Sequence, residues 1–387
     1  MKSRFSRPIW ILSLVSLFTD IASEMLYPVM PIYLESIGFS IVIIGVLEGV
    51  AESISGLSKG YFGKWSDEMG KRIPFIRAGY SLSGISRPML ALWANPIWVF
   101  LARTADRFGK GLRTGARDAM LSDLSEGHNR GAVFGFHRGM DTLGAVIGPG
   151  LALLFLHYLP GEYRTLFYWS VIPGIIAVAL TFLLNEKVKA VKPRMHTNLF
   201  AAFHYWKNSS IEYKKLSSGL LLFALFNSSD VFLLLKLKEA GWNDTAVIGV
   251  FMLYNLFYAA AAYPMGKLAD RFSLKSVYLV GLIMFSLVYF GMAINHQNIL
   301  FLILFALYGL YSAATQGISK AWISGIASEN ETATAIGTLA GFESIATFLA
   351  STIAGILWFQ FGAGISLALS GFVALLVAVY LYRALPK

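Results

Sequence analysis

The sequence predicts an all-α membrane protein of about twelve spanning helices, and three observations lead there. Apolar residues make up 56% of the 387 and charged ones only 14%, against about 25% charged in an ordinary soluble domain, and mean hydropathy is +0.61. Apolar stretches recur along the whole chain, at about 9–34, 40–63, 74–94, 96–123, 132–157, 165–185, 217–237, 244–265, 275–294, 298–322, 332–358 and 364–383. Crossing a bilayer takes ~20 residues. Finally, alternate connections between these stretches are basic, as expected where loops face the anionic inner surface of a membrane.

The first stretch follows Lys2, Arg4 and Arg7 and superficially resembles a signal peptide. It is too long, shows no small-residue cleavage pattern and carries Asp20 and Glu24, so it reads as a retained span. A carboxylate at mid-bilayer costs ~2.5–3.5 kcal/mol on insertion scales, so it normally faces a polar cavity. Four residues apart, the two side chains share one helix face. The second stretch repeats the device with Glu48 and Glu52, and the fourth carries Arg103 and Arg107. Asp141 follows in the fifth, Asp230 in the seventh and Glu343 in the eleventh. At 1.5 Å per residue, Asp20, Glu48, Glu52, Arg103, Arg107, Asp141 and Asp230 lie roughly 12–20 Å into a ~30 Å core. Together they sketch a polar path, with internal charge pairing that fixes the helices as the other reading. In the fourth stretch Arg103, Asp106, Arg107, Lys110, Arg113 and Arg117 step by three or four along one face.

Lys64, Lys71, Arg72 and Arg77 follow the second span; Lys187, Lys189, Lys192, Arg194, Lys207, Lys214 and Lys215 lie between the sixth and seventh; Lys267, Arg271 and Lys275 follow the eighth. Both termini and the 186–216 linker are therefore expected in the cytoplasm. The chain also repeats itself. Gly63, Lys64 and Asp67 match Gly266, Lys267 and Asp270 at an offset of 203, as Gly38 matches Gly241, and Gly135 matches Gly337 at 202. The expected domains are two pseudo-symmetric six-helix bundles, 1–185 and 217–387, with a substrate site at mid-membrane where such repeats meet.

Two motifs carry a family resemblance that covers essentially the whole chain. The connection Gly63, Asp67, Glu68, Gly70, Lys71, Arg72 resembles the signature G-x-x-x-D-R-x-G-R/K-R/K of the major facilitator superfamily of secondary transporters, with Glu68 in place of the usual Arg. Glycine permits close helix approach, and the carboxylate can cap a neighbouring helix N-terminus. The resemblance implies that Asp67 latches the cytoplasmic side. The repeat Gly266, Asp270, Arg271 keeps the Arg but has Ser273 at the later Gly. In the fifth span Gly135, Gly144, Gly148 and Pro149 resemble the G-x8-G-x3-G-P pattern that the superfamily associates with antiporters, although the pattern's last two glycines read Ala152 and Leu153. Tight helix packing alone would also use such glycines. Arg103 fits the start of the family's R-x-x-Q-G motif, but Arg107 and Phe108 replace Gln-Gly.

There is no phosphate-binding G-x-x-x-x-G-K-[ST] loop, no H-E-x-x-H and no cysteine, and the G-x-S-x-G match at Gly56 to Gly60 falls inside an apolar stretch and offers no hydrolase site, so neither ATP drive, nor an enzyme, nor a metal site is expected. The resemblance implies a proton-coupled transporter working by alternating access, an exporter of a small organic solute by antiport, in a bacterial-type inner membrane. Its coupling ion is a proton, with no other cofactor. Its expected partners are the solute and the lipid bilayer, with no nucleic acid and a monomeric chain. An organic-anion importer or facilitator using Arg103 and Arg107 as a clamp is the alternative. A non-transporting receptor with a transporter fold is the alternative of another class.

Overall fold

The structure, a computed structural model, describes residues 5–26, 30, 33–34, 38, 41–93, 95–125, 129–186 and 201–385, and the side chains of all of these but 41–53, 57, 96, 201, 244 and 245. The chain forms α1 (Arg7–Glu24), α2 (Ile41–Met69), α3 (Ile73–Leu92), α4 (Pro96–Leu124), α5 (Arg130–Tyr158), α6 (Tyr163–Trp169) and α7 (Val171–Thr181). These are followed by α8 (Ala201–Asn208), α9 (Ile211–Ala224), α10 (Val231–Glu239), α11 (Asp244–Arg271), α12 (Leu274–Ile294), α13 (Asn298–Ile326) and α14 (Thr332–Ala384). No strand occurs among the described residues.

Six stretches of the described residues are long and apolar enough to cross a membrane: Arg130–Tyr158, Tyr163–Thr181, Ala246–Arg271, Leu274–Ile294, Asn298–Ile326 and Thr332–Ala384. The last is two helices joined at Gly362, whose φ of +83° a side chain would strain. Helices α1, α3 and α4 fall short of that measure because they carry charged residues within their apolar runs. The seventh expected span differs in another way. It is broken into α9 and α10 by the non-helical run 225–230, which spells Leu-Phe-Asn-Ser-Ser-Asp. Asparagine, serine and aspartate compete with helical backbone bonds through their own side chains, which is why they interrupt a helix there. The expected linker is also not structureless throughout: α8 lies within it and α9 begins at Ile211, capped by Ser210, whose hydroxyl accepts from Tyr213 N at 3.1 Å. Lys187, Lys189, Lys192 and Arg194 lie outside the described residues.

The chain divides into two compact units. One comprises 1–124, 140–207 and 328–341; the other comprises 125–139, 208–327 and 342–387. Each is built mainly from one half of the sequence and takes in a short segment of the other, the start of α14 or of α5.

In the first unit α4 packs on both α2 and α3, and α1 packs on α7. Lipid tails are as apolar as leucine, so helix association in a membrane depends on close packing more than on hydrophobic drive. The α3–α4 crossing shows the consequence. A Cβ at Gly79 would stand 2.6 Å from Gly109 O, and one at Gly109 2.7 Å from Gly79 O. One end of this unit is an apolar core of Met25, Leu26, Tyr33, Leu90, Val99 and Phe167. In the second unit α13 packs on α11 and α12, its tyrosines buried against theirs.

Candidate transport site

In the first unit, α5 brings the antiporter-type glycines against the acidic face of α1. A Cβ at Gly144 would lie 2.7 Å from Leu17 O and 2.8 Å from Asp20 Cβ. One at Gly148 would lie 2.9 Å from Ile21 O and 3.0 Å from Glu24 Cβ. Only glycine lets the helices come this close, so the two glycines set where both carboxylates sit. Pro149 is buried one residue on, inside the same helix. Asp20 and Glu24 are half-buried. Lys110, Arg107, Asp141 and Arg87 are the charged groups that act on Glu24. Glu24 of α1 and the basic residues Arg107 and Lys110 of α4 are thus electrostatic neighbours.

Asp141 is buried and accepts the Ser16 hydroxyl at 2.5 Å. Arg103 and Asp106 are both buried, and Arg87 Nε lies 3.8 Å from Asp106 Oδ1. Arg87 was overlooked in the sequence although it lies inside the third apolar stretch, where the depth argument used for Arg103 applies equally. Arg113 is buried, donating to Ser83 Oγ at 2.6 Å and lying 4.4 Å over the Tyr80 ring. Arg117 pairs with Asp118 at 2.9 Å. The side chains of Glu48 and Glu52 lie outside the described residues.

The expected latch is a helix cap. Asp67 accepts from Thr334 N at 2.7 Å, Thr334 Oγ1 at 2.6 Å and Ala333 N at 3.3 Å, all in the first turn of α14. A carboxylate is favoured there by the unpaired N–H groups and the helix dipole. Arg72 Nη1 lies 2.6 Å from its other side and Arg72 Nε 3.6 Å from Asp123. Burial raises the Asp67 pKa, against the pull of Arg72 and of the Thr334 hydrogen bonds. Gly63 makes the approach possible, since its Cβ would stand 2.3 Å from Ala333 O. Gly70 turns the chain at φ +62°, and Lys71 is exposed. Glu68, at the position usually held by Arg, pairs back to Lys64 in its own helix at 3.6 Å.

The repeat does the same in the second unit. Asp270 accepts from Gly131 N and Ala132 N, both at 2.7 Å, in the first turn of α5. A Cβ at Gly266 would stand 2.1 Å from Gly131 O, and one at Gly135 2.4 Å from Ala262 O. Ser273, where the motif's later glycine belongs, accepts from Ser276 N at 2.9 Å and caps α12.

Asp230 ends the break between α9 and α10, half-buried, and accepts the Tyr308 hydroxyl at 2.7 Å. Asn227 donates to Tyr311 OH at 3.1 Å. Tyr254 stacks toward Tyr308 at 5.0 Å between centroids and toward Tyr258 at 6.1 Å. Arg138, from the start of α5, donates through Nε to Tyr258 OH at 2.5 Å. Such a tyrosine cluster was legible only in part, because aromatic residues are spread through the chain and helix rotation decides which of them meet.

The chain matches the Major Facilitator Superfamily model over residues 12–248 and 216–387. It belongs to that superfamily of transporters and is accordingly a multi-pass membrane protein. It is 32% identical over 359 residues to an uncharacterized MFS-type transporter of Methanocaldococcus jannaschii, covering 91% of this chain and 89% of that one. Over 191 residues it is 24% identical to citrate exporter 1 of Aspergillus niger, 49% of this chain and 36% of that protein. Its fold is shared with the human organic anion transporter MFSD10, with a TM-score of 0.83 at 14% identity, covering 97% and 99% of the two chains.

Proposed function

We propose that this protein is a proton-coupled secondary transporter that exports a small organic solute by antiport, through alternating access, in a bacterial-type inner membrane. One observation carries the reading: Asp20 and Glu24, on one face of α1, sit against the α5 glycines and among Arg87, Arg107, Lys110 and Asp141. Paired intramembrane carboxylates beside countercharges can exchange a proton for a solute, because each occupant changes the charge balance the other meets. The caps made by Asp67 and Asp270 fit the switching element. Each depends on a few charge-assisted hydrogen bonds that rigid helices can make or lose together.

Export is supported by the citrate exporter among the relatives. A second reading, transport of an organic anion clamped by Arg103 and Arg107, draws on the surplus of basic groups around Glu24 and on the anions named for two similar proteins. Solute flux in proteoliposomes under an imposed pH gradient tests the proposal. Accumulation that collapses with the gradient supports it. Flux indifferent to pH leaves a facilitator, and no flux for any stabilising solute leaves a receptor.

A further inference from the structure

The second unit holds an acid, a cation and a wall of phenol rings in one place, and the cation is the protein's own. Arg138 lies with its guanidinium carbon 5.4 Å from the centroid of the Tyr258 ring and Nε bonded to the Tyr258 hydroxyl. It acts electrostatically on Asp230, which Tyr308 holds in place at 2.7 Å. Tyr254 bridges the two tyrosines as a neighbour of both rings. Tyr254, Tyr258 and Tyr308 are 6%, 2% and 2% exposed, so their positions are fixed by packing, whereas Asp230 and Arg138 are only half-buried. A carboxylate held at a phenol hydroxyl, near a tyrosine ring that already lies against a guanidinium, is the chemistry that recognises a cationic nitrogen group.

We infer that Asp230, Tyr258 and Tyr308 form a binding site for a solute's guanidinium or alkylammonium group, and that Arg138 is a tethered occupant which such a solute displaces. The inference rests on the transport reading and adds one subsite to it. A solute that also carries a carboxylate satisfies it equally well. The helix break supplies the setting: over 225–230 the chain leaves the helical ladder, which frees backbone polar groups beside Asp230, as at the discontinuous helices of other transporters. An internal competitor lowers apparent affinity by the fraction of molecules in which the site is open. Its removal must therefore tighten binding, which loss of a structural contact would not do.

The test is calorimetric titration of agmatine into the full-length protein in detergent at fixed pH, with no gradient. Arg138→Gln should bind agmatine roughly three- to tenfold more tightly than the unaltered protein, and Asp230→Asn should weaken that binding by about tenfold or more. Tyr308→Phe, which removes one hydroxyl, should weaken it to a lesser degree and serves if Asp230→Asn does not fold. Arg138→Gln protein that elutes as a single species yet binds no more tightly overturns the inference. So does agmatine binding unchanged by both Asp230→Asn and Tyr308→Phe. Because the titration involves neither flux nor a proton gradient, its failure leaves proton-coupled transport standing, and failed coupling leaves this site standing.

Discussion

Asp67 and Thr334, 267 positions apart, are joined by a carboxylate that takes both the backbone N–H and the hydroxyl of the threonine, at 2.7 and 2.6 Å. Asp270 does the same for the backbone of Gly131 and Ala132. The two caps differ in their further partners and in their burial. Asp67 also neutralises buried Arg72 at 2.6 Å, while Asp270 is half-buried.

Removing the two acids should therefore have unequal effects. Asp67→Ala removes the close partner of buried Arg72, leaving it the longer 3.6 Å pair with Asp123, and should destabilise by about 3–5 kcal/mol, the usual outcome when one partner of a buried pair is lost. Asp270→Ala removes the charge-assisted hydrogen bonds to Gly131 and Ala132 from a half-buried site and should cost about 1.5–3 kcal/mol. Thermal unfolding of the purified proteins compares them. Equal losses would show that Arg72 is neutralised by something other than Asp67.

The glycines that admit these caps make a sharper contrast. Gly63→Ala and Gly266→Ala drive a Cβ to 2.3 and 2.1 Å from a backbone oxygen, and overpacking of this kind costs about 1–3 kcal/mol. Gly249 in α11 has nothing within 4 Å of its Cβ position, so Gly249→Ala should be neutral or gain up to about 1 kcal/mol of helix propensity. Melting temperatures should fall for the first two and hold or rise for the third. A fall for all three would mean that contact geometry is not what selects glycine here.

Much of this was legible in the chain because membranes make sequence patterns blunt. A charge inside an apolar run is costly enough to stand out, which is how Asp20, Glu24, Arg103 and Asp141 were found. The offset near 203 identified Asp67 and Asp270 as equivalents, and the structure gives them equivalent hydrogen bonds. Other features were hidden for physical reasons. The break before Asp230 depends on local side-chain competition that a hydropathy window averages away. Arg113 could have reached the interface or turned inward, and only the rotation of α4 against Ser83 decides. Tyr254, Tyr258 and Tyr308 became a cluster only once α11 and α13 were packed.

The α5 glycines should matter to transport more than to folding. Gly148→Ala presses on Glu24 Cβ at 3.0 Å and Gly144→Ala on Asp20 Cβ at 2.8 Å. A displacement of about 1 Å can cost about 10²-fold in a positioned reaction, so flux should drop at least severalfold with expression largely retained. Gly174→Ala in α7, with nothing within 4 Å, is the control. Flux preserved in the α5 variants would reduce their glycines to ordinary packing.

The basic connections lead us to expect cytoplasmic termini and linker. A reporter inserted near Lys192 or fused after Lys387 should be active only on the cytoplasmic side. A signal from the opposite side at either position would reverse the assignment of every loop.

The central claim is that the α1 carboxylates couple solute movement to protons. The direct measurement is accumulation in proteoliposomes of whichever solute most raises the melting temperature of the purified protein. It should be driven by an imposed pH gradient and compared with the Asp20→Asn, Glu24→Gln double variant. The account predicts that the unaltered protein accumulates the solute against its gradient, and that the double variant only equilibrates or exchanges it. A double variant that still accumulates solute when the pH gradient is imposed would contradict the account.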